Sequence, residues 1–265
     1  MLNNSLNYIK QCLNGFSPDT ALILGSGLDG VSQAVENPIY INYADIPDFP
    51  QTTVAGHKGR FAAGKIGSHK VICMEGRFHL YEGIAPQLIA EVIGLLAALG
   101  VQQLIITNAA GSLDVNMPAG SLMLIKDHIN FSARNPLIGP HEEPYFPDMS
   151  NAYDANTRSI VKNLAKTLDI QLFEGVYLFA MGPNYETPSE VKLFRMFGAD
   201  AVGMSTVPEV ISAVHKGIKV LAFSVISNLG TGLTAEVQNH QDVLAQVEKS
   251  SKKLETLIKN YLAQY

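Results

Sequence analysis

Apolar residues along the chain fall into two spacings. Short runs dense in apolar residues recur at Ala21–Leu24, Lys70–Met74, Gln103–Thr107, Ser121–Lys126, Gly175–Phe179, Ala199–Gly203 and Lys219–Ser227. Each reads as a buried strand, because a strand covered on both faces loses the polar–apolar alternation of a half-exposed one. Between them lie stretches with helical spacing: Asn4–Leu13 (Leu6, Ile9, Leu13), Pro86–Leu99 and Asn156–Leu168. A tail helix from His240 carries Val243, Val247, Leu254, Ile258 and Leu262 on one side. Boundary residues support the helices. Pro86 suits a first turn and Gly100 a C-terminal cap. Thr187-Pro188-Ser189-Glu190 gives an N-cap, a first-turn proline and a Glu at the third position, and Thr206-Val207-Pro208-Glu209 starts a helix in a similar way. Residues 31–37 leave room for at most two helical turns. Asn42–Gly59 and Ala133–Met149 are rich in turn formers and read as irregular.

Strands alternating with helices, most of the strands apolar throughout, predict an α/β fold. The expected architecture is a single domain over residues 1–265, with a mixed, largely parallel central β-sheet flanked by helices. No repeat, linker or low-complexity segment suggests a boundary.

Composition narrows the function classes. Apolar residues make up 47% of 265, ample for one large core, and the formal net charge is −5. Without a Lys/Arg cluster, no nucleic-acid partner is expected. Cys12 and Cys73 stand far apart, outside any metal spacing, and are read as reduced structural thiols; no metal site is expected. Met1–Lys10 lacks the apolar core of a signal peptide, and Leu88–Leu99 contains Glu91 and is too short to span a bilayer. A soluble, cytoplasmic protein with no membrane partner is the expectation.

The chemistry gathers where strands end. Gly25–Gly27, Arg77–Tyr81, Asn108–Gly111, Tyr185–Glu186, Met204–Ser205 and Asn228 all follow apolar runs. Ligands of open α/β sheets bind outside the carboxyl ends of strands. Singly, each residue has a plainer role: Asn108 a turn cap, Glu186 a carboxylate near a helix N-terminus, Arg77 a surface charge, Asn228 a strand end. Their shared station favours a site. In Ala21–Gly30 the glycines permit a sharp turn whose amides, with the Ser26 hydroxyl, suit an anion. The same stretch spells G-x-G-x-x-G, with Asp45 at a tolerable distance for a ribose carboxylate. The helix after it is too short for a dinucleotide site, however, and Asp45 sits in a Pro-rich loop. From this loop alone an ordinary glycine turn ranks first, an anion site second and a dinucleotide site third.

Seven ordered blocks decide among these: GSGL (Gly25–Leu28), GHKGR (Gly56–Arg60), GRFHLYEG (Gly76–Gly83), TNAAGSL (Thr107–Leu113), GPNYET (Gly182–Thr187), VGMSTVPEV (Val202–Val210), and SNLG (Ser227–Gly230) with Asn239-His240. Together they resemble the trimeric-type purine nucleoside phosphorylases, a family shared with methylthioadenosine phosphorylases, over nearly the whole chain. The resemblance implies reversible phosphorolysis of purine nucleosides and deoxynucleosides, to free base and ribose or deoxyribose 1-phosphate, in purine salvage. Inorganic phosphate would be the co-substrate, with no other cofactor. Ser26, His57, Arg77, His79, the Ala109 main chain and Ser205 match phosphate binders. Tyr81 and Met204 match ribose neighbours, and His240 the partner of the 5′-hydroxyl. Tyr185 matches the aromatic on the purine, and Glu186 and Asn228 the base readers. Asn228, Glu186 and His79 would carry the catalysis.

Asn228 implies the bacterial-like 6-oxopurine branch (inosine, guanosine), since an amide can donate to a 6-oxo group where the methylthioadenosine enzymes carry Asp. Xanthosine acceptance stays open. The alternatives are a 5′-methylthionucleoside phosphorylase, which His240 disfavours, and a non-catalytic nucleoside binder, which the retained phosphate residues disfavour. Lys58 and Asp29 depart from the family pattern without touching a donor. Gly139–Met149 is shorter than the segment that in the family sends a Phe into the neighbouring subunit's site; Tyr145 or Phe146 would replace it. The resemblance implies a homotrimer, with a hexamer known in some relatives.

Overall fold

The computed structural model describes residues 2–25, 29–53, 58–233 and 240–265, with the main chain alone for 29 and 240–247. The strands are β1 (Thr20–Ile23), β2 (Glu36–Asn42), β3 (Arg60–Ile66), β4 (His69–Glu75), β5 (Gln103–Ser112), β6 (Leu122–Asn130), β7 (Phe173–Phe179), β8 (Ala201–Gly203) and β9 (Lys219–Leu229). The helices are α1 (Asn3–Leu13), α2 (Pro86–Ala98), α3 (Ala155–Thr167), α4 (Pro188–Met196), α5 (Val207–His215) and α6 (His240–Gln264).

The sheet runs β2-β3-β4-β1-β5-β8-β7-β6-β9, and β9 also pairs with β5. Five strands therefore close on themselves, while β4, β3 and β2 fan outward from β1. Parallel pairings hold the centre (β1 with β4 and β5, β5 with β9, β7 with β6 and β8). Antiparallel ones join β2 to β3, β3 to β4, β5 to β8 and β6 to β9. The mixed α/β sheet flanked by helices is as expected.

Both faces of the central strands are covered, which is why they are apolar throughout. Ala21 and Ile23 pack with Ile9 of α1 and Val92 of α2, whereas Leu22 and Leu24 pack with Val161 of α3 and Leu254 of α6. The same alternation recurs at Leu104/Ile105/Ile106 and at Val220/Leu221/Ala222/Phe223. Of the tail-helix stripe, Leu254, Ile258 and Leu262 are buried; Val243 and Val247 lie outside the residues whose side chains are described.

The sequence pattern misses two strands. β2 is an outer strand carrying Pro38, with Asn37 at φ 47° and a register shift between Glu36 and Ile39, so its alternation is broken. β3 is built from small residues because it is crowded. A Cβ on Gly64 would lie 2.6 Å from the Glu36 carbonyl oxygen. Two further strands run longer than read. β5 continues from Thr107 to Ser112 because β9 pairs with it throughout, so Asn108–Ser112 is strand and not loop. Likewise β6 extends through Asp127-His128-Ile129-Asn130, paired to β7.

Candidate active site

The ends of these strands enclose a cleft of about 290 Å³ lined by Gly25, Arg77, His79, Tyr81, Asn108, Ala109, Gly111, Tyr185, Glu186, Met204, Ser205 and Asn228 among others. Nine of the expected site residues thus meet in one place. Ser26, His57 and the His240 side chain lie outside the described residues.

One end of the cleft is cationic. Arg77 follows β4 by two residues and is buried, not a surface charge. Its Nη1 donates to Ser205 Oγ at 2.9 Å, and its Nε lies 3.0 Å from Glu209 Oε1 in an ion pair whose N–H is not aligned on the oxygen. Burial pushes the Glu209 carboxyl above its ordinary range, with Arg77 pulling the other way. Ser205 and Thr206 sit at the start of α5, where helix amides favour an anion. Here the expected analogy with the Thr187 helix start fails. Thr206 adopts φ 77° and makes no side-chain cap. Its hydroxyl accepts from Asn108 Nδ2 at 2.8 Å and lies 3.2 Å from Ser205 Oγ. A β-branched residue at positive φ is strained, and the surrounding contacts hold it there. Asn108 is accordingly a buried tie between β5 and α5, not a turn cap.

His79 and Tyr81 form the flank. The His79 ring stacks on Tyr81 at 4.7 Å between centroids, and Nδ1 lies 3.0 Å from Glu82 Oε1. Glu82 also accepts from the Thr53 amide and hydroxyl and the His79 amide. Those bonds outweigh the burial that would raise its pKa and hold it below the usual carboxylate range. An ionised Glu82 fixes the orientation of the imidazole through Nδ1.

The other end is built from β9 and the start of α4. Asn228 is paired across β5 with Gly111, where a Cβ would lie 3.3 Å from Asn228 Nδ2, so glycine leaves the carboxamide its room. Ser227 Oγ donates to Asn228 Oδ1 at 2.7 Å and Asn228 Nδ2 donates to the Leu229 carbonyl at 3.0 Å. Glu186 directly precedes the Thr187 cap of α4, where Thr187 and Glu190 form the expected reciprocal box. Burial raises the Glu186 pKa. Tyr185 stands at the mouth, 77% exposed. Gly25 closes the floor: a Cβ there would lie 2.7 Å from the Thr107 carbonyl oxygen, and its amide donates to Thr107 Oγ1 at 3.0 Å.

Residues 19–263 match the family model described as the phosphorylase superfamily. Over 261 residues the chain is 47% identical to purine nucleoside phosphorylase 1 of Bacillus subtilis, covering 97% of this chain and 96% of that one. It is 43% identical over 257 residues to the Bos taurus purine nucleoside phosphorylase, covering 93% and 89%. Among solved structures, Schistosoma mansoni purine nucleoside phosphorylase isoform 2, in complex with cytosine and ribose-1-phosphate, superposes with a TM-score of 0.92 at 43% identity, covering 99% and 95%. A second Schistosoma mansoni purine nucleoside phosphorylase structure, with inosine, matches with a TM-score of 0.92 at 34% identity, covering 100% and 96%. The chain belongs to the purine nucleoside phosphorylases of the phosphorylase superfamily. It is accordingly an enzyme, a pentosyltransferase.

In this phosphorylase, the sequence pattern gives Glu82 no role and Glu209 only a helix start, whereas the structure sets them against His79 and Arg77. Both stand inside the matched blocks GRFHLYEG and VGMSTVPEV, which was the available signal. A larger depression of about 730 Å³ lies between α1, α2, the end of α5 and the strap at residues 136–142. None of the expected site residues lines it, so size does not locate the chemistry. On the strap's continuation, Tyr145 and Phe146 are exposed, Phe146 to 88%. Among the described residues, no helix is long and apolar enough to cross a membrane.

Proposed function

We propose that this enzyme catalyses the reversible phosphorolysis of 6-oxopurine ribonucleosides and deoxyribonucleosides in purine salvage, with inorganic phosphate as co-substrate and no other cofactor. The observation that carries this reading is the polarity of one cleft: Arg77 and Ser205 at one end, Glu186 and Asn228 at the other. Two substrates of different chemistry suit such a site. Phosphate takes the guanidinium fork, the Ser205 hydroxyl, the Ala109 amide and the imidazole of His79, with Ser26 and His57 as the resemblance implies. The ribose lies against Tyr81 and Met204, with His240 for the 5′-hydroxyl, and the purine against Tyr185.

The reaction then follows from charge. As the glycosidic bond lengthens, positive charge grows on the ribose and negative charge on the purine. Phosphate, the nucleophile, faces the ribose cation. Asn228 hydrogen-bonds the departing base at its five-membered-ring nitrogen and 6-oxygen, and ionised Glu186 accepts from the ring N–H. His79, oriented by Glu82, steadies phosphate. The amide of Asn228 favours 6-oxopurines because it can donate to the oxo group, which an Asp in its place could not do. A related Schistosoma mansoni purine nucleoside phosphorylase has been solved in complex with adenosine, so base choice is the part most in need of a test.

The whole chain acts as one domain, in the cytoplasm. It assembles as a homotrimer, in which Tyr145 or Phe146 is the aromatic available to a neighbouring subunit. The test is hypoxanthine release from inosine, with and without phosphate, beside adenosine. Phosphate-dependent release with adenosine inert supports the reading. Release from adenosine alone overturns the base assignment, and inosine binding without turnover points to a binding protein.

A further inference from the structure

Lys58 interrupts the family pattern in GHKGR, and the structure gives it a partner outside the cleft. Its Nζ lies 2.9 Å from Oε1 of Glu75, a carboxylate only 3% exposed at the end of β4. The same oxygen accepts from Ser32 Oγ at 2.5 Å, and Oε2 accepts from Arg60 Nε at 2.5 Å. Burial would raise this carboxyl, but the bonds from Ser32, Arg60 and Lys58 outweigh it and hold it below the ordinary range. The main chain is tied as well. The Gly59 amide donates to the Glu75 carbonyl at 2.8 Å, and the buried Tyr43 hydroxyl donates to the Gly76 carbonyl at 3.0 Å.

We infer that Glu75 is a positioning residue for phosphate, a clamp that holds together the chain segments from which the phosphate ligands project. Its three donors come from two segments, Ser32 from one and Lys58 and Arg60 from another, and Glu75 itself stands on a third. Ser32 lies six residues after Ser26, Lys58 directly follows His57, and Glu75 itself precedes Arg77 by two residues. This inference rests on the phosphate roles assigned above. Glu75 touches no substrate; it acts by fixing where Arg77 starts and where the segments on either side of it are anchored. Lys58 serves the clamp, which gives the departure in GHKGR a role.

The sign of one substitution separates positioning from simple electrostatics. One carboxylate faces two cations here. Removing its charge in Glu75→Gln makes the surroundings more positive, which alone would tighten binding of an anion. Loss of the clamp instead weakens it. The experiment is steady-state kinetics of wild type, Glu75→Gln and Ser32→Ala with phosphate and inosine varied separately, alongside calorimetric titration of inorganic phosphate into each protein. Expected is a rise in phosphate KM and Kd of about tenfold for Glu75→Gln and about threefold for Ser32→Ala, with inosine KM within about twofold. Ser32→Ala removes only a neutral hydroxyl, so it keeps the test open should Glu75→Gln fail to fold. Tighter phosphate binding in Glu75→Gln, unchanged phosphate binding in Ser32→Ala, or an equal rise in both KM values overturns the clamp. Wild type that binds phosphate but leaves inosine intact overturns the proposed reaction alone, since the phosphate Kd values still report on Glu75. Wild type that binds no phosphate overturns both.

Discussion

Arg77 and Glu209 meet at 3.0 Å with both side chains almost wholly withdrawn from water. A buried pair of this kind is costly to assemble and costlier to break, because removing one partner strands the other charge. It places a negative charge beside Arg77 Nε, while the bond from Nη1 to Ser205 directs the guanidinium. Glu209→Ala should destabilise the fold by about 3–5 kcal/mol, the range for a broken buried pair. Urea unfolding measures this, and the surviving enzyme should show a raised phosphate KM. A stability loss below about 1 kcal/mol would mean the pair orients nothing.

Asn228 is expected to set base choice. Asn228→Asp exchanges a donor for an acceptor at nearly constant volume. Inosine phosphorolysis should fall and adenosine phosphorolysis should rise, read as hypoxanthine against adenine release. An unchanged preference would remove Asn228 from base recognition.

Glu186 is expected to give the acid limb of the pH profile. In its proposed role it accepts from the purine N–H best as a carboxylate, and burial raises its pKa. Activity with inosine should therefore fall as pH drops through a value above the ordinary Glu range, the neutral carboxyl being a weaker acceptor than the carboxylate. Glu186→Gln should be much less active and lack this limb in kcat/KM. Retention of the limb in the variant would assign it elsewhere.

Thr187 links stability to the Glu186 side of the cleft. Its hydroxyl caps α4 by accepting from the Glu190 amide at 3.3 Å, and Glu186 is the residue before it. Thr187→Ala should cost about 1 kcal/mol in unfolding free energy. It should also raise nucleoside KM while phosphate KM stays within about twofold, since Arg77 and Ser205 are held by other elements.

Gly111 bears on Asn228 through space alone. A Cβ at this position would meet Asn228 Nδ2 at 3.3 Å and Val202 Cγ1 at 3.6 Å. Gly111→Ala should fold, and should raise inosine KM several-fold by crowding the carboxamide. An unaltered KM would show that Asn228 has slack.

Much of this molecule is decided locally. Apolar runs such as Ala21–Leu24 and Lys219–Ser227 announce central strands because each position along them must be buried on one face or the other. The box at Thr187 and Glu190 starts a helix from four residues, with no help from the rest of the fold. The seven blocks name the family, and they carry the residues that the cleft gathers. What the chain could not declare locally are the relations between distant segments. Strand β2 looks irregular until β3 pairs with it. Asn108–Ser112 looks like a loop until β9 supplies partners along its full length. Arg77 and Glu209 are 132 residues apart in number, read from their positions, yet share one buried ion pair. Glu75 finds Ser32, Lys58 and Arg60 only when the sheet edge folds back. Propensity and burial act over a few residues and leave a trace in the pattern. Ion pairs and hydrogen bonds across the fold depend on distances that only tertiary packing sets, and a lone Glu or Lys in sequence carries no sign of which charge it will meet.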